Sequence, residues 1–105
     1  MAALHFSRRA EADLLEIGSY TLQRWGADQT IRYFDKLETC CRGLADHPKL
    51  GHACDEIHPG LRRMECGKHV IFYRQQKGGI LVLRILHQRM LPGRRVIDET
   101  ETPRP

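Results

Sequence analysis

Apolar residues at Ala10, Leu14, Ile17, Leu22 and Trp25 recur at helical spacing and predict one amphipathic helix. Ser7 stands just ahead of that stripe, where its hydroxyl can accept from an N–H that has no partner inside the helix, and Glu11, Asp13 and Glu16 suit the positive end of the helix dipole. Gly26 suits the left-handed stop. A second stripe, Ile31, Phe34, Leu37, Cys41 and Leu44, starts after the capping residue Asp28 and ends before Pro48, which disfavours helical backbone at His47. With only Gly26 and Ala27 between the two patterns, the helices are expected to double back as an antiparallel hairpin.

After the hairpin the period changes from helical to two. Lys49 to Gly60 carries Gly, Pro and no usable period, which predicts a loop. Leu61 to Cys66, His69 to Arg74 and Ile80 to His87 predict three strands, turning at Gly67-Lys68 and at Lys77-Gly78-Gly79. Ile80 to Leu86 is apolar almost throughout, the mark of a central strand. Ala3 to Phe6 adds a short first strand. The expectation is an α+β fold: an N-terminal strand, then an antiparallel helical hairpin packed on a small antiparallel sheet, in the order β-α-α-β-β-β. Residues 1–97 form one domain in this reading, and the tail 98–105, with nothing to bury, is expected to be flexible.

A chain of 105 residues supports one core, and 41% hydrophobic with 29% charged residues is ordinary for a globular domain. No apolar run reaches the length of a membrane span and no signal-peptide pattern opens the chain, so the expected location is cytoplasmic, with no membrane partner. Cys40, Cys41, Cys54 and Cys66 are accordingly expected as reduced thiols, with Cys41 buried on the apolar stripe of the second helix. Trp25 is expected in the core or in hairpin packing.

Charge is distributed unevenly. Residues 1–47 hold six Lys/Arg against seven Asp/Glu, whereas residues 60–97 hold nine against Glu65 alone. That concentration favours an acidic protein or nucleic-acid partner. Arg62, Arg63, His69, Tyr73, Arg84, His87 and Arg89 lie on or beside the three strands and are the predicted macromolecule-binding residues. If helices cover one side of the sheet, these are expected to gather on the other as a flat cationic face. Such a face either grips phosphates and carboxylates through arginine forks or cleaves RNA with His87 or His69 as base. His47, His52, Cys54 and His58 fit the spacing of a zinc site only loosely, with no second Cys pair to anchor one, and read as a solvated loop, so no metal is expected. No nucleotide-binding or nucleophile-elbow motif is present; no cofactor and no small-molecule substrate are expected.

Three stretches carry a resemblance. F-S-x-x-A-x-x-D-L-x-x-I at Phe6 to Ile17 with Tyr20 and R-W-G at Arg24 to Gly26, then H-P-x-x-G at His47 to Gly51, then L-R-R-M-E-C-G-K-H-V-I-F-Y-R at Leu61 to Arg74 with I-L-H-Q-R-M at Ile85 to Met90, resemble the ParE branch of the ParE/RelE toxin superfamily in order and spacing. The resemblance implies a helical hairpin on an antiparallel sheet and the toxin of a bacterial type II toxin–antitoxin pair. It further implies a ParD-like antitoxin as partner in a hetero-oligomer and DNA gyrase as the target, acting by binding and so blocking replication. Leu14, Ile17, Trp25 and Phe34 are the apolar groove residues such an antitoxin would cover. The sister RelE branch implies the alternative, a ribosome-dependent mRNA endoribonuclease, for which His87, Arg89 and Glu65 are the candidate catalytic residues, although the segment after Met90 has no Tyr or His.

Overall fold

The computed structural model describes residues 2–89. The expected tail, and the part of the domain after Arg89, lie outside the described residues. The element order is β1 (Ala3–Phe6), α1 (Arg8–Asp46), β2 (His52–Ala53), β3 (Leu61–Cys66), β4 (His69–Gln76) and β5 (Gly79–His87).

Ser7 caps α1 as expected: its side chain accepts from the Ala10 N–H at 3.0 Å and donates to the Leu83 carbonyl at 2.8 Å. The helical segment is broken once, at Gly26, where φ is 84°. A side chain at that φ would be strained, and the chain uses the glycine to reverse direction. The reversal is visible in packing. A Cβ on Gly18 would stand 3.0 Å from the Phe34 ring, and two residues sixteen positions apart meet in that way only if the limbs before and after Gly26 run side by side. The helix ends at Asp46, with the His47 N–H donating to the Gly43 carbonyl, immediately before Pro48.

The sheet has the order β1-β5-β4-β3-β2. Strands β2 to β5 pair antiparallel, whereas β1 joins β5 in parallel, Leu4 opposite Ile80 and Phe6 opposite Val82. The sheet is therefore mixed at one edge, and β5 and β4 lie in its interior, as the apolar run of β5 required. The short β2 forms inside the expected loop.

Alternation along β5 is offset once. Phe72 pairs with Arg84 but Tyr73 pairs with Val82, so Leu83 is an extra residue, a β-bulge. Before the bulge Ile80 and Val82 face the helices; after it Ile85 does, and Leu81, Leu83 and Leu86 face the other way. The helix-side core joins Ala10, Ile17, Leu37, Cys41 and Leu44 to Ile71, Tyr73, Ile80, Val82 and Ile85. The outer face has a core of its own: Val70, Phe72, Leu81, Leu83 and Leu86, with Leu61 and Cys54, none more than 5% exposed.

Candidate macromolecule-binding surfaces

That second apolar cluster overturns the expected flat cationic face. The seven predicted binding residues separate into four places. Tyr73 is fully buried on the helix side, its hydroxyl donating to the Pro48 carbonyl at 2.7 Å and accepting from the Gly51 N–H at 2.9 Å. It fastens the loop after α1 and presents nothing to a partner. Arg62, opposite Tyr73 on β3, donates through its guanidinium to the carbonyls of Gly51 and Lys49 and holds the same loop from outside. Arg63 points to the outer face, where its positive charge acts on the Cys54 thiol.

Arg84 reaches past the end of β1 to the first limb of α1. Its Nε and Nη2 donate to the two oxygens of Asp13 at 2.8 and 2.9 Å, and the same carboxylate accepts from the Ile85 N–H at 3.0 Å. This fork is a structural tie between helix and sheet. From the sequence Asp13 reads only as suiting the helix dipole, but the signal of a buried tie is there: Ala10, Asp13 and Ile17 share one helical stripe, and a carboxylate inside an apolar stripe needs a cation.

His69, His87 and Arg89 do come together, at the end of the sheet where β4 begins and β5 finishes. His69 and His87 are cross-strand partners with ring centroids 5.4 Å apart, edge to face. The Tyr33 hydroxyl lies 2.5 Å from His69 Nδ1 and accepts from the Lys68 N–H at 3.1 Å. His87 Nδ1 accepts from the Arg89 N–H at 3.2 Å. Burial, then the neighbouring His87, pushes the His69 pKa down, and Asp13 pulls it back part of the way. Desolvation raises that of Tyr33. At neutral pH His69 is therefore a neutral ring.

Of the three candidate ribonuclease residues, His87 and Arg89 stand together and Glu65 stands apart from them. Glu65 is paired with Val70 on the outer face, whereas His87 is paired with His69 on the helix side. The carboxylate and the imidazole stand on opposite faces of the sheet.

An apolar cleft of about 370 Å³ opens beside the second limb of α1, floored by Leu4, Phe6, Leu14, Phe34, Leu37 and Ile85, with Asp35, Glu38 and Arg42 also lining it. Leu14 and Phe34, two of the four residues expected in the antitoxin groove, line this cleft. Ile17 is instead core at 8% exposure, and Trp25 is 63% exposed beside the reversal at Gly26, with Leu22 and Ile31 also open to solvent. The expectation that Trp25 packs in the core or in the hairpin is corrected: it lies open to solvent beside Gly26, with Leu22 and Ile31 exposed around it.

Residues 4–92 match the family described as the ParE toxin of the type II toxin–antitoxin system parDE. The chain belongs to the ParE toxin family. Among similar ParE proteins, Toxin ParE1 of Mycobacterium tuberculosis is 46% identical over 85 residues, covering 80% of this chain and 87% of its own. Toxin ParE1 of Caulobacter vibrioides is 39% identical over 90 residues, covering 86% and 93%, and Toxin ParE of Escherichia coli is 40% identical over 91 residues, covering 86% and 88%. The solved structure of the chromosomal ParDE system from P. aeruginosa superposes with a TM-score of 0.70 at 21% identity, over 83% of this chain and 96% of that one, and so shares the ParE fold.

Two cysteine assignments complete the ParE surface. Cys40 on α1 and Cys66 on β3 form a disulfide with their Cα atoms 6.7 Å apart, which corrects the expectation of four reduced thiols. Sequence spacing gave no hint, because only the packing of α1 on β3 brings the pair together. Cys41 is buried as expected, and desolvation, then the neighbouring Glu38 charge, pushes its thiol up to about 12. Among the described residues no three ligating side chains converge on a metal position, and no helix is long and apolar enough to cross a membrane.

Proposed function

We propose that this ParE-family toxin acts in the cytoplasm by binding DNA gyrase and blocking replication, without cutting a covalent bond itself, and that a ParD-like antitoxin neutralises it. The observation that carries the non-enzymatic reading is the separation of Glu65 from His87 across the sheet. A general base and acid must both reach the reacting centre within about 3 Å or through one water, and two groups on opposite faces of a sheet fail that test.

The cleft supports the antitoxin half of the reading. Its floor of Leu4, Phe6, Leu14, Phe34, Leu37 and Ile85 suits apolar side chains of an amphipathic segment. Asp35, Glu38 and Arg42 favour a segment that carries at least one cation among its acids. A few apolar anchors in that cleft would supply most of the affinity.

The test is a supercoiling assay with purified gyrase, run beside a cleavage assay on ribosome-bound message. The proposal expects inhibition of supercoiling, relieved by a ParD-like antitoxin, and intact message. Cleaved message with gyrase untouched would reverse it.

A further inference from the structure

The imidazole pair at the end of the sheet is more than a packing contact. We propose that Lys68, His69, His87 and Arg89 form a site for a phosphodiester group of duplex DNA. The site itself stands apart from the gyrase reading, since it would bind DNA in the absence of any enzyme; only the choice of DNA as the source of the phosphate follows from that reading.

Hydrogen bonding fixes what the two rings offer. The Tyr33 hydroxyl accepts from the Lys68 N–H, and its single proton has two acceptors in reach, the Cys66 carbonyl at 3.3 Å and His69 Nδ1 at 2.5 Å, of which the much shorter contact to His69 is the stronger. His87 Nδ1 is likewise engaged as acceptor by the Arg89 N–H. With Nδ1 accepting in both, the proton of each neutral ring sits on Nε2, and both rings are donors at the positions left over. Two N–H donors from rings 5.4 Å apart suit one tetrahedral anion.

The surrounding charge agrees. Gln88 N–H donates to the Lys68 carbonyl at 2.9 Å, which brings the β3–β4 turn against the end of β5 and places the exposed Lys68 and Arg89 at the same end. Lys36, exposed on the second limb, has its backbone carbonyl 3.6 Å from Cys66 Sγ, beside the same turn. The groups acting on His69 are Tyr33 from the second limb, His87 across the ladder and Asp13 from the first limb, while Lys68 and Arg89 reach the pair through their backbone N–H groups, to Tyr33 and to His87. Asp13 is the carboxylate among them, and it is held by Arg84.

The shape selects the source. The site is an open strand end rather than a cavity, so a single small anion keeps most of its water and is held weakly. A duplex backbone offers a row of phosphates to Lys68, Arg89 and Lys36 together. Tyr33 lies with its ring against Gly67 and is not presented for base stacking, so a single strand gains little from it over a duplex. Such contacts position without reading sequence.

The experiment follows the imidazole proton signals of the full chain by NMR against pH, alone, with inorganic phosphate, and with a short duplex DNA, beside fluorescence anisotropy for affinity. Duplex DNA should shift the imidazole signals of His69 and His87 while leaving those of His52 and His58 in place, and binding should tighten as pH is lowered, because a protonated imidazole adds positive charge beside the phosphate. Lys68→Ala should weaken DNA about five- to tenfold and lower the salt slope by about 1, His87→Gln should reduce the tightening at low pH, and Lys77→Ala at the opposite end should change neither. Far-UV circular dichroism of each variant separates lost binding from lost fold. Unmoved imidazoles in the presence of DNA, equal losses from Lys68→Ala and Lys77→Ala, or inorganic phosphate matching DNA at equal concentration would each overturn the assignment.

Discussion

Replacing Asp13 by alanine removes one side chain and disconnects three groups. Its carboxylate, with only 11% of the side chain exposed, accepts from Arg84 Nε, Arg84 Nη2 and the Ile85 N–H. Arg84 is nearly as enclosed, at 13%, so the variant leaves a guanidinium in a low-dielectric position stripped of its carboxylate, and a backbone N–H in the sheet without its acceptor. Removing one member of a buried pair costs about 3–5 kcal/mol. Arg84 sits near the sheet edge, where its long side chain can swing toward water, so the lower end, about 3 kcal/mol, is expected. Against a domain stability of ~5–15 kcal/mol that is a large share, and it should lower Tm by about 10–20 °C. Urea unfolding followed at 222 nm is the suitable assay, since Trp25 is already exposed and its fluorescence reports little. The double variant Asp13→Leu with Arg84→Met should recover most of the loss but not all, because the Ile85 N–H still lacks its acceptor, at about 1–2 kcal/mol. A single variant that loses under ~1 kcal/mol, as a surface pair would, refutes the reasoning.

Other substitutions probe other parts of the molecule. Gly51→Ala should destabilise by about 2 kcal/mol or more, since its Cβ would stand 2.5 Å from Tyr73 Oη and 2.6 Å from the Arg63 carbonyl oxygen; thermal melts check it. Reduction of Cys40–Cys66, which are 26 positions apart, should remove about 3 kcal/mol, read as a drop in Tm on adding a phosphine reductant. Because the Cys41 thiol is pushed up to about 12, the folded protein holds a proton there that the unfolded chain releases. Its stabilising contribution is complete below the unfolded thiol pKa near ~8.5 and declines as pH rises above it, and alkylation at pH 9 should be slow until denaturant is added. Leu14→Asp or Phe34→Asp should weaken a ParD-like antitoxin by about 100-fold or more in calorimetry, whereas Leu22→Asp on the exposed stripe should change it little.

Most of the scaffold was legible because it depends on local chemistry. Ser7, Gly26 and Pro48 punctuate the hairpin through backbone geometry that any reader of the chain can use, and the β5 run announced an interior strand. The arrangement of charge was not legible in the same way. Val70, Ile71, Phe72 and Tyr73 are apolar at consecutive positions, which already implies burial on both faces of β4 and argues against an open cationic side. The bulge at Leu83 then shifts the alternation, so counting along β5 assigns Arg84 to the wrong surroundings. Its partner Asp13 lies 71 residues away, a separation at which spacing carries no information. Tyr33 was missed for the same reason: only the packing of α1 against the β3–β4 turn brings it to His69.

The parallel pairing of β1 with β5 has a consequence for biogenesis. Ala3 to Phe6, synthesised first, find their ladder partners only in Gly79 to Val82, synthesised near the end. The Ser7 hydroxyl that caps the helix also waits for the Leu83 carbonyl. Until residue 83 has left the ribosomal tunnel, the nascent polypeptide has neither its β1–β5 ladder nor a docked helix start. The first residues made are thus among the last to be fixed in place, and the native domain comes into being only near the close of synthesis.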